Sequence, residues 1–393
     1  MKRLLQRTTA VLGIFCIFSF AAVLYGRWMI PDTVPVLAGE RPQFPALFGS
    51  DAVQDTEQQV RFLHTVAVKK SRIQSASRIY AVPLGSAFGI KMYTDGVVVV
   101  RVDVVPQENG SLCPAQKAGI RTGDRILAVN GKAVHSNTEL AQLFIQSGGE
   151  AMRLRVRRES LTFDTVLTPV QSLSDGKYHA GIWVRDSSAG IGTLTFYVPQ
   201  YGLFSGLGHA VCDVDTGQIV PLSNGEAVSA IIKGSYKGRT GAPGELCGVF
   251  GSTVVGTLIR NTESGVYGRS PQMQSVYEKM PVALYYEVQQ GEAQILTQVD
   301  DTGPKAYTVQ ITKLFSNPDA HQKNLIVKVT DPELIKKTGG IVQGMSGSPI
   351  IQNGMIVGAV THVFINDPQQ GFGVYAQTMV EEMQKITALK EAS

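Results

Sequence analysis

Two side chains in this chain could together perform nucleophilic chemistry: the hydroxyl of Ser346 and the imidazole of His209. A serine hydroxyl is a weak nucleophile until a neighbouring base takes its proton, and histidine is the usual base near neutral pH. Ser346 lies in Gly344-Met345-Ser346-Gly347-Ser348-Pro349, between two apolar runs. Asn353-Gly354 then joins Pro349–Gln352 to Met355–Val360. Asn-Gly between β-branched runs predicts a hairpin, because both central turn positions need positive φ. The serine therefore belongs on a tight loop between strands. A Gly-x-Ser-x-Gly elbow needs a helix directly behind the serine. Here the fifth position is Ser348, and a proline and a hairpin follow, so the elbow and the small-ester hydrolases built on it are disfavoured.

Six histidines are candidates for the base. His64 falls in a proline-containing stretch, His135 and His179 in or beside a separate small domain, and His321 in the polar loop Ser316–Lys323. His362 follows the hairpin strand. His209 stands in Gly206-Leu207-Gly208-His209-Ala210-Val211, after the apolar stretch Tyr201–Leu207. It alone combines a tight apolar setting with a place well ahead of the serine in the chain.

The elements that must position these groups are mostly strands. Among 393 residues, 41 are glycine and only 17% are charged, which points to many turns and to β structure in two or three domains. The net charge of +4 is dispersed, and Arg153–Arg158 alternates with apolar residues as one face of a strand, so nucleic acid is not implied. There is no CxxC, His-rich cluster or phosphate loop, so no metal or cofactor is expected. Cys113, Cys212 and Cys247 allow at most one disulfide outside the amino-terminal segment, with Cys212–Cys247 left open. In that segment Lys2, Arg3 and Arg7 precede an uncharged run from Thr8 to Tyr25. A helix of that length predicts a single membrane span with its amino terminus in the cytoplasm and the remainder translocated; a cleaved signal peptide is the rival reading.

Residues 28–75 contain several prolines and no periodicity, which predicts a linker with a short helix near Asp55–His64. Residues 76–169 carry Phe88-Gly89-Ile90, a strand at Gly96–Val102, the phrase PAQKAGIRTGDRILAVNGKAV, a helix at Thr138–Ser147 and a strand at Ala151–Arg157. This order resembles a bacterial PDZ domain. The resemblance implies that Phe88, Gly89 and Ile90 present amides to a peptide carboxylate, with the strand behind them open to β-addition. A PDZ fold used only as a spacer is the alternative. Residues 175–393 are rich in short strands, among them Val282–Val288, and end in a helix at Val380–Lys390.

The strand-flanked serine loop resembles that of chymotrypsin-like peptidases, which implies that the amides of Gly344 and Ser346 face the carbonyl oxygen under attack; each such donor is typically worth about 3–4 kcal/mol in the transition state. GLGHAV around His209, GGIVQGMSGSPIIQNG around Ser346, GAVTHVFINDPQQGFGV after it, the PDZ-like region and the amino-terminal span together resemble the stage IV sporulation B family of signalling serine peptidases. That resemblance implies a mainly β protein: residues 1–27 a cytoplasmic stub and transmembrane helix, then linker and PDZ domain, and at 175–393 a chymotrypsin-like double β-barrel. It also implies self-cleavage, release into the space between forespore and mother-cell membranes, and cleavage of a regulator of an intramembrane protease to activate a late sigma factor. It places the triad acid at Asp331 in Thr330-Asp331-Pro332-Glu333. The same residues read equally as a helix start, with Asp331 as N-cap. Asp213 and Asp215 are alternatives. Thr361, His362 and Val363 would line the first specificity pocket, with no acidic floor to favour basic side chains. A catalytically inactive PDZ adaptor that scaffolds membrane partners is the competing function.

Overall fold

The structure is a computed structural model and describes residues 2–37, 40–42, 44, 47–50, 56–315 and 323–391, with the side chains of residues 2–12, 56, 390 and 391 outside that description. A helix, α1 (Lys2–Met29), is followed by strands β1 (Thr33–Leu37), β2 (Phe48–Gly49), β3 (Thr56–Phe62) and β4 (Val66–Ala76). These form one sheet in the order β1-β4-β3-β2, where a linker is expected from composition. The prolines do not prevent it, because Pro35 sits on the edge strand, where a missing N–H costs no ladder bond. The expected helix near residue 60 is β3 instead: Val60 and Phe62 bury on one face, and Leu63 and His64 turn the chain with φ of 49° and 58°. Among the described residues no helix is long and apolar enough to cross a membrane; the expected span, Thr8–Tyr25, begins at side chains outside them.

The next strands are β5 (Tyr80–Pro83) and the long β6 (Ala87–Val102). A compact unit then inserts β7 (Arg125–Val129), helix α2 (Asn137–Gln146), β8 (Met152–Arg158) and β9 (Leu161–Leu167). Ser136 caps α2 by accepting from the Glu139 amide at 3.1 Å. Val97, Val99, Ile126, Val129, Leu140 and Leu154 form the core of this unit. The chain returns through β10 (Ile182–Val198), which pairs antiparallel with β6 from Ile182↔Val102 to Thr193↔Ala87, with register shifts between Trp183 and Val184 and between Arg185 and Ser187. Strands β11 (Leu203–Gly206), β12 (Asn224–Tyr236), β13 (Glu245–Thr262) and β14 (Gly265–Arg269) follow. Pairing runs β6-β12-β13-β14-β11-β10 and returns from β10 to β6, within a twelve-stranded sheet that also takes in β7, β8 and β9. The PDZ-like unit and the larger region thus share β6 and β10 and do not follow one another along the chain.

Carboxy-terminal to this lies a closed barrel of β15 (Gly291–Thr297), β16 (Lys305–Leu314), β17 (Leu325–Val329), β18 (Pro349–Gln352), β19 (Met355–Phe364) and β20 (Asp367–Tyr375). Helix α3 (Pro332–Thr338) precedes the serine loop, and α4 (Ala376–Glu391) ends the chain. Ile295, Val309, Leu325, Val327, Ile350 and Val357 fill the barrel. The strand expected at Val282–Val288 is mostly a 3₁₀ turn at Tyr285–Glu287, capped by the Glu287 carboxylate on the Leu284 amide at 2.7 Å. Among the described residues every cysteine is free, so the possible Cys212–Cys247 pair is not formed.

Phe88, Gly89 and Ile90 do not form a ligand loop. They lie inside β6, paired on one side with β10 (Gly192↔Phe88, Ile191↔Gly89) and on the other with β12 (Val228↔Gly89). Both rows of backbone groups are used, so no peptide strand can be added there. Phe88 is fully buried against Leu194, Phe204, Leu207 and Val266. Phe88→Ala is therefore expected to cost roughly 3–5 kcal/mol of stability. Urea unfolding monitored by circular dichroism checks this, with a markedly lower midpoint as the expected result.

Candidate active site

The loop between α3 and β18 carries Ser346, and its glycines are structurally required. Gly344 and Gly347 have φ of 96° and 97°. A Cβ on Gly347 would stand 2.0 Å from the Thr193 carbonyl oxygen. Met345 buries completely in the barrel core, and its carbonyl accepts both the Ser348 amide (3.0 Å) and the Ser348 hydroxyl (2.6 Å). The Gly347 amide donates to the Val360 carbonyl at 2.7 Å, which fastens the loop to β19. The carbonyl of Gln343 accepts the Leu246 amide at 2.8 Å. A peptide plane points its N–H opposite its C=O, so the Gly344 and Ser346 amides face away from these contacts. Among the described residues neither amide has an acceptor in the protein. They are free to receive an oxyanion.

Strand β19 brings the serine and histidine loops together. The Ser346 hydroxyl donates to the Thr361 carbonyl at 2.6 Å. The next side chain, His362, lies against His209 with ring centroids 4.5 Å apart and planes at 35°. Leu207 and Gly208, with φ of 68° and 69°, turn the chain so that His209 projects over β19. Strain of this kind, at a non-glycine residue such as Leu207, is a recurrent feature of functional loops. His209 Nδ1 is 2.8 Å from the carbonyl of Ala210. A carbonyl only accepts, so Nδ1 carries the proton and Nε2 keeps its lone pair. Burial pushes the His209 pKa below the ordinary histidine value, opposed by the Ala210 contact. Burial, with the positive fields of His209 and Lys323, also pushes His362 down, although one edge of that ring reaches solvent.

Asp331 is not part of this cluster. Its Oδ1 accepts the amides of Glu333 (2.9 Å) and Leu334 (3.1 Å), and its Oδ2 accepts the amide and hydroxyl of Thr308 (3.3 and 3.2 Å). The carboxylate is thus filled by helix capping and a strand contact, and the position beside His209 Nδ1 is taken by a backbone carbonyl. Asp213 and Asp215 are engaged too: both pair with Arg185, the latter at 2.7 Å. Of the other histidines, His179 pairs with Asp175 at 3.0 Å, and His321 lies outside the described residues. Among the described residues no group of side chains could hold a metal ion. A cavity of about 860 Å³ between the amino-terminal sheet and α4 is lined by neither Ser346 nor His209.

Sequence reasoning missed Thr193, which is fully buried on β10 and bonds the serine loop. It also missed a second Φ-Gly-Φ turn at Ala180-Gly181-Ile182. There a groove of about 460 Å³ opens between Leu140, Ala141 and Phe144 of α2 and Ile182, Trp183 and Val184 of β10. Gly181 has φ of 71°. Repetition of the Φ-Gly-Φ pattern was the available signal.

A family model for the SpoIVB peptidase S55 domain matches residues 176–380, just over half of the chain. The chain belongs to the SpoIVB peptidase S55 family. It is a serine peptidase, and a PDZ-domain model matches residues 112–158 of this S55 member. The S55 chain is also 39% identical over 69 residues to the regulator of sigma E protease of Haemophilus influenzae, spanning 18% of this chain and 15% of that relative. Among solved structures, a PDZ domain of an SdrC-like protein from Listeria monocytogenes covers 23% of this chain and 87% of its own (TM-score 0.19, 19% identity). An inactive mutant form of Rv3671c from M. tuberculosis H37Rv covers 50% of this chain and 82% of its own (TM-score 0.28, 15% identity). Both overlaps are too loose to bear on mechanism.

Two outcomes follow for the S55 site. Asp331→Ala should cost about 1 kcal/mol of stability, the usual value of a lost N-cap, and leave peptidase turnover within severalfold of wild type. Thermal melting and a turnover assay separate this from the roughly 10⁴-fold loss expected on removing a triad acid. A base with a lowered pKa stays neutral to lower pH, so the acid limb of kcat/KM should fall below the ordinary histidine midpoint of about 6.5. A pH–rate profile checks the sign.

Proposed function

We propose that this chain is a membrane-tethered endopeptidase in which Ser346 is the nucleophile and His209 the general base. The observation that carries the reading is the meeting of both loops on Thr361–His362 of β19, beside the two unused amides of Gly344 and Ser346. In this mechanism the Ser346 hydroxyl leaves the Thr361 carbonyl and gives its proton to His209 Nε2 as Oγ attacks the scissile carbonyl. The amides of Gly344 and Ser346 take the developing negative charge. His209 then passes the proton to the leaving amine, and water repeats the sequence on the acyl-enzyme. The Ala210 carbonyl holds the tautomer that a carboxylate usually holds. Thr361, His362 and Val363 flank the substrate as it lies along β19. In this reading the ring of strands from β6 through β12, β13, β14 and β11 to β10 serves as the first barrel of a chymotrypsin-like pair.

The tether is α1, whose Ile14, Phe15, Ile17, Phe18 and Phe20 are each more than half exposed, a distribution suited to lipid and not to water. The amino terminus then lies in the cytoplasm and the rest in the space between forespore and mother-cell membranes. The substrates are the chain itself and a membrane-associated regulator of an intramembrane protease, cleaved during sporulation signalling to release a late sigma factor. The groove at Ala180-Gly181-Ile182 receives peptide ends, in place of Phe88-Gly89-Ile90. Its terminal amides and apolar walls suit an extended chain with an apolar last side chain.

Self-cleavage of the full chain, followed by mass spectrometry, tests the reading. Ser346→Ala and His209→Ala should both abolish it, and undiminished cleavage by Ser346→Ala would remove the nucleophile assignment.

A further inference from the structure

We propose that Thr193 is the positioning residue of the oxyanion hole. This rests on the assignment of Ser346 as nucleophile. Thr193 lies on β10, wholly buried, and touches the serine loop at two points two residues apart. Its amide donates to the Ser346 carbonyl at 2.9 Å, and its hydroxyl donates to the Gly344 carbonyl at 2.8 Å. Its own carbonyl accepts the Leu207 amide at 3.2 Å, two residues before His209. One residue thus ties the nucleophile loop and the base loop to the same strand.

The geometry explains why this matters for charge stabilisation. A glycine at φ near 96° has little intrinsic preference for the orientation of its following peptide. The Gly344–Met345 peptide is held on both sides, its N–H by the Val342 carbonyl at 3.1 Å and its carbonyl by the Thr193 hydroxyl. The carbonyls of Gly344 and Ser346 belong to the peptides on either side of the Met345–Ser346 peptide, so holding both fixes the frame in which the Ser346 amide, and the Gly344 amide one peptide earlier, are presented. The Gln343 carbonyl on Leu246 and the Gly347 amide on Val360 secure the outer ends of the loop. Among the described residues the Thr193 hydroxyl is the donor to the Gly344 carbonyl. The absence of a side chain at Gly347 lets the Thr193 carbonyl and the Leu207 amide approach to within 2.0 and 2.4 Å of where a Cβ would stand. Thr193 reaches no substrate atom itself. Its effect passes through the alignment of two amides, which is worth more in the tetrahedral state than in the ground state.

A fluorophosphonate probe reads this alignment on the full chain. Ser346 Oγ bonds to phosphorus, fluoride leaves with the bonding pair, the hydroxyl proton goes to His209, and the phosphoryl oxygen enters the oxyanion hole. Thr193→Val removes the hydroxyl and keeps the shape. It should lower the maximal labelling rate roughly 10- to 100-fold, with the half-saturating probe concentration changed less than threefold. Thr193→Ser should restore most of the rate. If Thr193→Val does not fold, Thr193→Ala against Thr193→Ser makes the same comparison, since that pair differs only in the hydroxyl. Wild-type labelling by Thr193→Val, or equal impairment of the hydroxyl-bearing and hydroxyl-lacking variants, overturns the proposal while leaving Ser346 as nucleophile. Labelling that persists in Ser346→Ala, or a wild-type chain that does not label, removes the nucleophile reading and the proposal with it.

Discussion

The antiparallel ladder between β6 and β10 is the constraint on which the other parts depend. These two strands are long enough to belong to two hydrophobic cores at once. Val97 and Val99 lie in the core of the PDZ unit, while Phe88, Ile90 and Leu194 lie in that of the peptidase half. The register runs from Ile182↔Val102 to Thr193↔Ala87 and is stepped between Trp183 and Val184 and between Arg185 and Ser187, so one pair of strands carries both cores, with the second shift lying between them. Ile182–Val184 of β10 form one wall of the groove beside α2, and Thr193 of the same strand bonds the serine loop. The groove and the serine loop are therefore both mounted on β10.

The electrostatics of the site are those of a buried imidazole with no carboxylate beside it among the described residues. His209 is desolvated and accepts no help from a carboxylate; its orientation comes from a carbonyl one residue away. A carbonyl fixes the tautomer as well as an aspartate does, but it brings only a partial charge to the imidazolium that forms on proton transfer. The adjacent His362 ring, itself held toward the neutral form, shields one face of His209 without adding a full positive charge. In the resting structure the Ser346 hydroxyl is satisfied by the Thr361 carbonyl. Exchanging that bond for one to His209 costs on the order of 1 kcal/mol, which binding along β19 can offset.

Helix capping explains the fate of the expected acid. Asp331-Pro332-Glu333 obeys the local rules for a helix start, and the fold uses it as one, ending at Gly339 with φ of 78°. Local rules also accounted for α2 with its Ser136 cap, for the Asn353-Gly354 hairpin, and for the terminal helix near residue 380. The amino-terminal sheet was not legible, because short strands with edge prolines carry little periodicity. Phe88-Gly89-Ile90 and Ala180-Gly181-Ile182 are alike as strings. Phe88-Gly89-Ile90 has a partner strand on both sides, which closes it to an added peptide strand, and that is a long-range fact.

What the amino-acid order settled by itself was chemistry and local geometry. A serine on a glycine-bounded loop ahead of a hairpin, a histidine in a glycine-flanked turn, and a PDZ-like phrase were all readable, since each depends on φ preferences and spacing within a few residues. Only the tertiary structure decided that His209 Nδ1 meets the Ala210 carbonyl, that Asp331 caps a helix, and that Thr193 bonds the serine loop. Each of these depends on hydrogen-bond partners brought together by pairing between distant strands, and no local propensity encodes which distant carbonyl a donor will meet.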